Sequence, residues 1–207
     1  MPRAYDSSRR RAQAEQTRRS ILEAAQCRFE QDGYVATTME VIAGEAGVSL
    51  KTVYLAFSTK AGLLRAVWDL LLKADTSEAP VAERPWYLDV LEEDDPVRKL
   101  RLVAHHSVAV KRRIGPLLRV IRSAAVVDPD GADLWALIQT DFHANQQAIV
   151  ESLDAQGGLR DDLDVEHATD LLWTLNHPDV WLLLDDRGWS PETFETWFAE
   201  TLVQQLL

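Results

Sequence analysis

The stretch "AGVSLKTVYLAF", residues 46–57, changes character halfway and decides how the N-terminal part of the chain folds. Gly47 favours the end of one helix, and Ser49 is a good N-cap for the next, because its hydroxyl can accept a free backbone N–H. In that next helix Val53 and Phe57 stand four residues apart, which predicts one buried face. The positions that this pattern leaves off the core are Leu50, Lys51, Thr52 and Tyr54.

Two further helices are predicted before this stretch. The first runs from about residue 14 to residue 32, where Gly33 ends it, and the second runs from about residue 38 to residue 46 with Thr38 as N-cap. Two short helices joined by a tight glycine-containing turn, with a longer helix bracing them, form a helix-turn-helix. In DNA-binding examples, the first residues of the second short helix meet base edges in the major groove.

The residues at the tip of that helix suit base recognition. Lys51 can donate to guanine O6 and N7, and Thr52 can pair with several bases or contact a thymine methyl. An exposed Leu50 is tolerable where it packs on such a methyl group. The residues therefore predict that double-stranded DNA is a partner.

Residues 37–64, "TTMEVIAGEAGVSLKTVYLAFSTKAGLL", closely resemble the DNA-binding segment of TetR-type transcriptional regulators. Residues 18–37, "RRSILEAAQCRFEQDGYVAT", are similar to the first helix of that family, and the whole resemblance covers about residues 16–72. It implies an all-α homodimer with an N-terminal three-helix helix-turn-helix domain and a larger helical C-terminal regulatory and dimerisation domain. The domains expected are a flexible basic arm (1–12), the helix-turn-helix domain (13–58) and a ligand-binding and dimerisation domain (59–207).

The resemblance also implies which residues contact DNA. Carried over position by position, the expected DNA-binding residues are Thr38, Ser49, Leu50, Lys51, Thr52, Tyr54 and Lys60. Thr38, Tyr54 and Lys60 would bind phosphates, whereas Leu50, Lys51 and Thr52 would face the bases of a palindromic operator. Gly62 departs from the family, which often has an acidic residue at this position to close a capping box. We therefore expect the first turn of the fourth helix to be less stable.

Charge is distributed unevenly along the chain. The net charge is -11, yet the first 60 residues hold nine basic and seven acidic side chains, against thirteen and twenty-six in the remainder. This asymmetry is consistent with a basic contact surface on an acidic body. The six arginines within residues 1–20 could reach phosphates, or they could form a tail without consequence. No apolar run long enough for a membrane span or a signal peptide occurs, which predicts a cytoplasmic protein.

The C-terminal two-thirds of the chain is predicted to be helical throughout. Long helices are expected at about 96–113, 116–126, 130–156, 164–186 and 191–206. The helix at 164–186 is apolar on two faces, and the last helix carries an apolar stripe formed by Phe194, Phe198, Leu202 and Leu206. In a TetR-like protein these two helices would form a four-helix homodimer interface.

The stretch "LNHPDVW", residues 175–181, places polar groups and Pro178 inside an apolar helix. It fits either part of a ligand pocket or a hydrogen-bonded structural kink. The family resemblance implies an unknown small-molecule effector that lowers operator affinity. The candidate wall residues are Trp135, Phe142, Trp173 and His177, although aromatic side chains of this kind equally suit a filled core.

Motifs of catalysis and metal binding are missing from the sequence. There is no nucleophile elbow, no phosphate-binding glycine loop and no cysteine–histidine cluster with zinc spacing, so no metal, no cofactor and no enzymatic activity are expected. The sequence predicts a sequence-specific DNA-binding regulator, a repressor released by a small molecule. The alternative is a helix-turn-helix protein that acts as an activator, or as a protein-interaction module without an effector.

Overall fold

The computed structural model describes residues 3–73 and 80–207, and within these ranges the regular structure is helical with no strand. The helices of this part of the chain are α1 (Arg3–Ala36), α2 (Met39–Glu45), α3 (Leu50–Ala56), α4 (Lys60–Lys73), α5 (Pro85–Glu92), α6 (Pro96–Val127), α7 (Pro129–Ala155), α8 (Val165–Leu175), α9 (Pro178–Asp185) and α10 (Pro191–Leu206). The all-α fold predicted from the sequence is confirmed. None of the described helices is long and apolar enough to cross a membrane.

The chain divides into two compact units. The first contains the residues up to 71 together with 116–135, and the second contains 72–115 together with 136–207. The expected helix-turn-helix segment, 13–58, lies inside the first unit, but the unit extends beyond residue 58. It does so because α4 adds the fully buried side chains of Leu63, Leu64 and Val67.

The N-terminal residues differ from the flexible basic arm that was expected over 1–12. Residues 1 and 2 lie outside the described ranges, and from Arg3 onward the chain is already part of α1. The physical reason is local, because residues 3–32 contain no glycine or proline and are rich in arginine, alanine, glutamine and glutamate, which favour helix. The basic residues of this segment therefore extend a helix instead of forming an irregular tail.

Gly33 interrupts α1 where the sequence predicted a helix end. Its backbone has φ 76° and ψ 174°, a conformation that is essentially restricted to glycine. The break lets Thr37 turn back, so that its buried hydroxyl donates to the carbonyl of Gly33 at 2.7 Å and to that of Arg28 at 3.1 Å. The start of α2 is thus fixed against the end of α1.

Gly33→Ala is expected to destabilise the protein by about 1–2 kcal/mol, because a Cβ makes this backbone conformation unfavourable. No heavy atom lies within 4 Å of the added Cβ, so the cost comes from backbone strain and not from a clash. Urea unfolding monitored by circular dichroism measures it. Gly44→Ala is the matched control, because Gly44 lies within α2 with equal space around it and should gain up to about 1 kcal/mol. Equal stability of the two variants would contradict the assignment.

At two prolines the helix boundaries differ from those predicted from the sequence. Pro116 lies inside α6, which continues from Pro96 to Val127 where two helices had been expected, held by the buried neighbours Ile114, Leu117 and Leu118. The expected helix 164–186 is instead split into α8 and α9. Pro178 occupies the first turn of α9, and His177 adopts extended geometry before it (φ -61°, ψ 137°), as a residue before proline prefers.

The core of the second unit includes the apolar stripe of α10. Phe194, Phe198, Leu202 and Leu206 are all buried there in one cluster with residues such as Leu100 and Leu172. The chain's own helices cover this stripe, so a second protomer would have to contact the other faces of α10. Periodicity identified the buried face correctly but could not say what covers it. The side chain of Leu183 on α9, by contrast, is 66% exposed.

Candidate functional site

Both short helices of the helix-turn-helix begin at the predicted caps. The hydroxyl of Thr38 accepts the backbone N–H of Val41 at 3.3 Å, and that of Ser49 accepts the N–H of Thr52 at 3.2 Å. Gly47, with φ 66°, makes the turn between α2 and α3. Each cap satisfies one of the backbone donors that a helix start leaves unpaired. These local interactions fix where α3 begins.

The exposed side chains of α3 are those that the sequence placed off the core. Val53 is the buried residue of this helix, Lys51 is exposed, and Tyr54 exposes 47% of its surface. Leu50 and Thr52 are half-buried, and the Thr52 hydroxyl is hydrogen-bonded to that of Ser49 at 2.8 Å. The helix thus presents an amine, a phenol and an alkyl group together on its solvent side.

Leu55 is an addition to this surface that sequence reasoning missed. Its side chain is 79% exposed, and it stands four residues after Lys51, one turn along the same side of α3. The signal was present in the sequence, because the buried pattern of Val53 and Phe57 leaves residue 55 outside the core. A large apolar side chain exposed beside a lysine suits contact with thymine methyl groups or deoxyribose.

Lys60 has different partners from those expected. Its ammonium donates to the backbone carbonyls of Tyr34 at 2.9 Å and Thr37 at 3.1 Å, and it lies 4.0 Å from the centre of the Tyr34 ring. Partial burial lowers the pKa of this amine, partly opposed by the charge of Asp128. Lys60 therefore supports the backbone that precedes α2, whereas a free phosphate donor was expected from the resemblance.

Two arginines of α1 hold the short helices in place. Arg28 forms an ion pair with Glu45 at the end of α2. Arg18 donates to the carbonyl of Ala56 at 3.2 Å, at the end of α3, and its guanidinium lies 4.2 Å from the centre of the Phe57 ring. Both α2 and α3 are thus tied to α1 through their C-terminal ends, which leaves the N-terminal end of α3 and its exposed side free for a partner.

Three of the four candidate effector residues are neighbours in the second unit. The ring centre of His177 lies 5.1 Å from that of Trp173 and 6.2 Å from that of Phe142. His143 also joins this group, which we call the aromatic cluster, with its ring 6.2 Å from Trp173. Trp135 does not join it, because it belongs to the first unit, where Arg122 lies 5.6 Å from its ring centre.

His177 also explains the polar stretch at the α8–α9 junction. Its Nδ1 accepts the backbone N–H of Asp179 at 3.2 Å and so caps α9, while its Nε2 is 3.1 Å from Oε1 of Gln139. The junction is therefore a hydrogen-bonded structural break, and the same residue contributes its ring to the aromatic cluster. Within the described ranges, no group of three or more His, Cys, Asp or Glu side chains could hold a metal ion.

Comparison with known proteins assigns the helix-turn-helix to a family. Residues 21–67 match the family described as bacterial regulatory proteins, tetR family. The helix-turn-helix segment of this chain is thus similar to the DNA-binding segment of TetR-type transcriptional regulators. The match covers the residues from the middle of α1 into α4, and so includes both capped helices.

Relatives extend the similarity over most of the chain. It is 28% identical over 183 residues to the probable HTH-type transcriptional regulator ArpR of Pseudomonas putida, and 27% identical over 186 residues to the HTH-type transcriptional regulator TtgR, also of Pseudomonas putida. Both alignments cover 86% of this chain and 86% of the relative. The similarity is thus not confined to the DNA-binding segment.

Solved structures share the fold. A complex of SmeT with triclosan has a TM-score of 0.73 at 19% identity, covering 92% of this chain and 91% of that one. NalD, described as the secondary repressor of the MexAB-OprM multidrug efflux pump in Pseudomonas aeruginosa, has a TM-score of 0.69 at 24% identity, covering 94% and 98%. These values establish that the chain shares the all-α architecture of these proteins.

Proposed function

We propose that this regulator acts in the cytoplasm as a homodimeric repressor, which binds a palindromic operator and leaves it when a small-molecule effector binds. The observation that carries the DNA-binding part is the solvent side of α3. There Lys51, Tyr54 and Leu55 lie together on a helix that is fixed by the Ser49 cap at its start and by the hydrogen bond from Arg18 at its end. It works by binding and conformational change, not by catalysis.

Recognition of the operator would use base and phosphate contacts from α3, with a further phosphate contact from the start of α2. Lys51 suits guanine O6 and N7, and Leu50 and Leu55 suit thymine methyl groups. We expect the Tyr54 and Thr38 hydroxyls to bind phosphate, which positions the protein without reading sequence. The half-buried Thr52 would add a base contact.

A dimer follows from the geometry of such recognition. Two recognition helices read a palindrome when they lie about 34–36 Å apart, one turn of the duplex. Because the α10 stripe is buried within its own chain, the partner must contact the other sides of the C-terminal helices, where Leu183 is exposed and Leu184 and Val203 are half-buried.

The effector part of the proposal is supported by the aromatic cluster in the second unit and by the SmeT–triclosan complex, in which a protein of the same fold is bound to triclosan. By linkage, an effector that releases DNA must bind the DNA-incompetent arrangement more tightly than the competent one. NalD, which has this fold, is described as a repressor, and this supports the sign of regulation that we propose.

Selection of binding sites from random duplex DNA tests the proposal. The protein is first unfolded, dialysed and refolded, which removes any bound small molecule. We expect enrichment of a palindrome whose half-site centres are about 10 base pairs apart, or a multiple of that. Recovery of no sequence at moderate salt, or of a single unpaired half-site, would exclude a dimeric operator-binding repressor.

A further inference from the structure

The hydrogen bonds of His177 determine how Gln139 is oriented. Because Nδ1 of His177 accepts the N–H of Asp179, the neutral imidazole carries its proton on Nε2. That proton is donated to Oε1 of Gln139 at 3.1 Å. The amide of Gln139 therefore directs its oxygen at the imidazole and its NH2 group elsewhere.

Two N–H groups beside this imidazole are buried without an acceptor. They are Nε2 of Gln139 and Nε1 of Trp173, and neither has a hydrogen-bond partner among the residues that the structure describes. Both side chains contact the same ring, since the Trp173 and His177 ring centres are 5.1 Å apart. Buried side-chain donors are nearly always paired in folded proteins, so two orphans at one imidazole indicate an acceptor from outside the chain.

The amide oxygens of the surrounding network already have donors. The fully buried Lys111 donates to Oδ1 of Asn176, whose Nδ2 donates to Oε1 of Gln146 at 2.8 Å. The amide oxygens of Asn176, Gln146 and Gln139 therefore each already accept one hydrogen bond. The ammonium of Lys111 lies 4.8 Å from the ring centre of Phe198 and contacts no carboxylate within the described ranges.

The same surroundings supply stacking surface. Phe142, His143 and Trp173 are only partly buried, so ring area of the aromatic cluster remains accessible, whereas the two orphan N–H groups are buried. Aromatic rings favour contact with a flat apolar ligand, and the orphan N–H groups favour one that carries an acceptor.

We propose that the aromatic cluster binds an aromatic effector through an oxygen acceptor, as a ketone or a carboxylate, which takes the N–H groups of Trp173 and Gln139. The inference rests on the proposed function, because it names the chemistry of the effector. A cationic amine offers only donors, which neither orphan N–H group can accept.

Matched probes test the inference with the full-length protein and no DNA. 1-Acetonaphthone and 1-ethylnaphthalene have nearly the same shape and differ in one ketone oxygen, and 1-naphthoate and 1-naphthylmethylammonium differ in the sign of charge. By isothermal titration calorimetry we expect the ketone to bind about tenfold more tightly than the hydrocarbon, and the carboxylate more tightly than the ammonium. Equal binding within both pairs, or binding of none of the four probes, would overturn the inference.

Variants identify the groups that hold the oxygen. Trp173→Phe keeps a ring but removes the indole N–H, and Gln139→Glu keeps the acceptor for His177 but removes the amide donor. Both should reduce the tenfold preference for the ketone to near unity, whereas Trp189→Phe, outside the cluster, should retain it. A preference that survives in both cluster variants would show that these donors do not bind the oxygen.

The indole N–H of Trp173 gives a direct readout by NMR. Its signal is identified as the one missing from the spectrum of Trp173→Phe, and it should move downfield with 1-acetonaphthone but not with 1-ethylnaphthalene. A signal that responds equally to both would indicate that ordered water already satisfies the donor, and the inference would be wrong. Operator selection by the effector-free protein is independent of these titrations, so either proposal can fail alone.

Discussion

Lys111→Met is expected to remove most of the pH dependence of stability between pH 7 and pH 9. Lys111 is buried in the second unit, and burial lowers the pKa of its amine from 10.5 to about 7. Between these two pKa values the unfolded chain holds a proton that the folded chain has lost. Stability therefore rises with pH, by up to about 1.4 kcal/mol per unit and by about 2 kcal/mol from pH 7 to pH 9, because the folded amine is still half protonated at pH 7.

The effect of Lys111→Met on stability at lower pH follows from the same lowered pKa. Below pH 7 the amine is protonated in both states, and the folded chain carries the full cost of a buried cation, on the order of 5 kcal/mol. Methionine removes that cost but leaves Oδ1 of Asn176 without its donor, which costs about 1–3 kcal/mol. At pH 6 the variant should therefore be more stable than the wild type by about 2–4 kcal/mol in urea unfolding.

Lys99→Met is the matched control for a buried lysine. The Lys99 ammonium donates to the carbonyl of Leu91 at 3.2 Å, the hydroxyl of Ser152 at 2.8 Å and Oε1 of Gln156 at 2.9 Å. Its removal leaves three oxygens unpaired, so this variant should be less stable than the wild type at pH 6. If Lys111→Met were also destabilised at pH 6, with a slope against pH like that of the wild type, the cost assigned to the buried cation would be wrong.

Lys51→Ala is expected to weaken binding to the selected operator by about 1–3 kcal/mol, which is about 5- to 150-fold in Kd. The reason is that an exposed lysine on α3 would donate to a base edge, and the loss would be confined to sequences that carry that base. Fluorescence anisotropy with the operator and with a scrambled duplex measures both affinities. The scrambled duplex should lose much less affinity than the operator.

Tyr54→Phe distinguishes phosphate contact from base contact on the same helix. If the Tyr54 hydroxyl binds phosphate, its removal should weaken the operator and the scrambled duplex alike, by about 1 kcal/mol. Lys51→Ala and Tyr54→Phe should therefore differ in specificity even where their effects on operator affinity are similar. A Lys51→Ala protein that loses affinity equally for both duplexes would place Lys51 on the backbone of the DNA instead.

Local interactions explain why the helix-turn-helix could be predicted from the sequence. The caps at Thr38 and Ser49 involve residues only three positions away, and the break at Gly33 depends on the backbone of one residue. Helical periodicity likewise identified the buried stripe of α10 that includes Phe194 and Phe198. Leu55 followed from the same pattern but was overlooked.

Interactions between distant parts of the chain could not be predicted in this way. Lys60 reaches backbone carbonyls more than 20 positions earlier, and Lys111 reaches Asn176, 65 positions later. When two lysines both have polar neighbours in the sequence, the sequence does not show which of them will be buried. The grouping of Phe142, Trp173 and His177 depended on the packing of α7 against the α8–α9 junction, whereas Trp135 belongs to the first unit.

The contacts that Arg18 and Arg28 make within the protein affect how its affinity for the operator depends on ionic strength. A basic side chain releases condensed counterions from DNA only when it neutralises a phosphate, and each such contact steepens the dependence of log Kd on log salt by about 0.9. Arg18 and Arg28 are occupied by Ala56 and Glu45, and Lys60 by the backbone before α2. Operator affinity should therefore tolerate added salt better than the number of basic residues near the N-terminus implies.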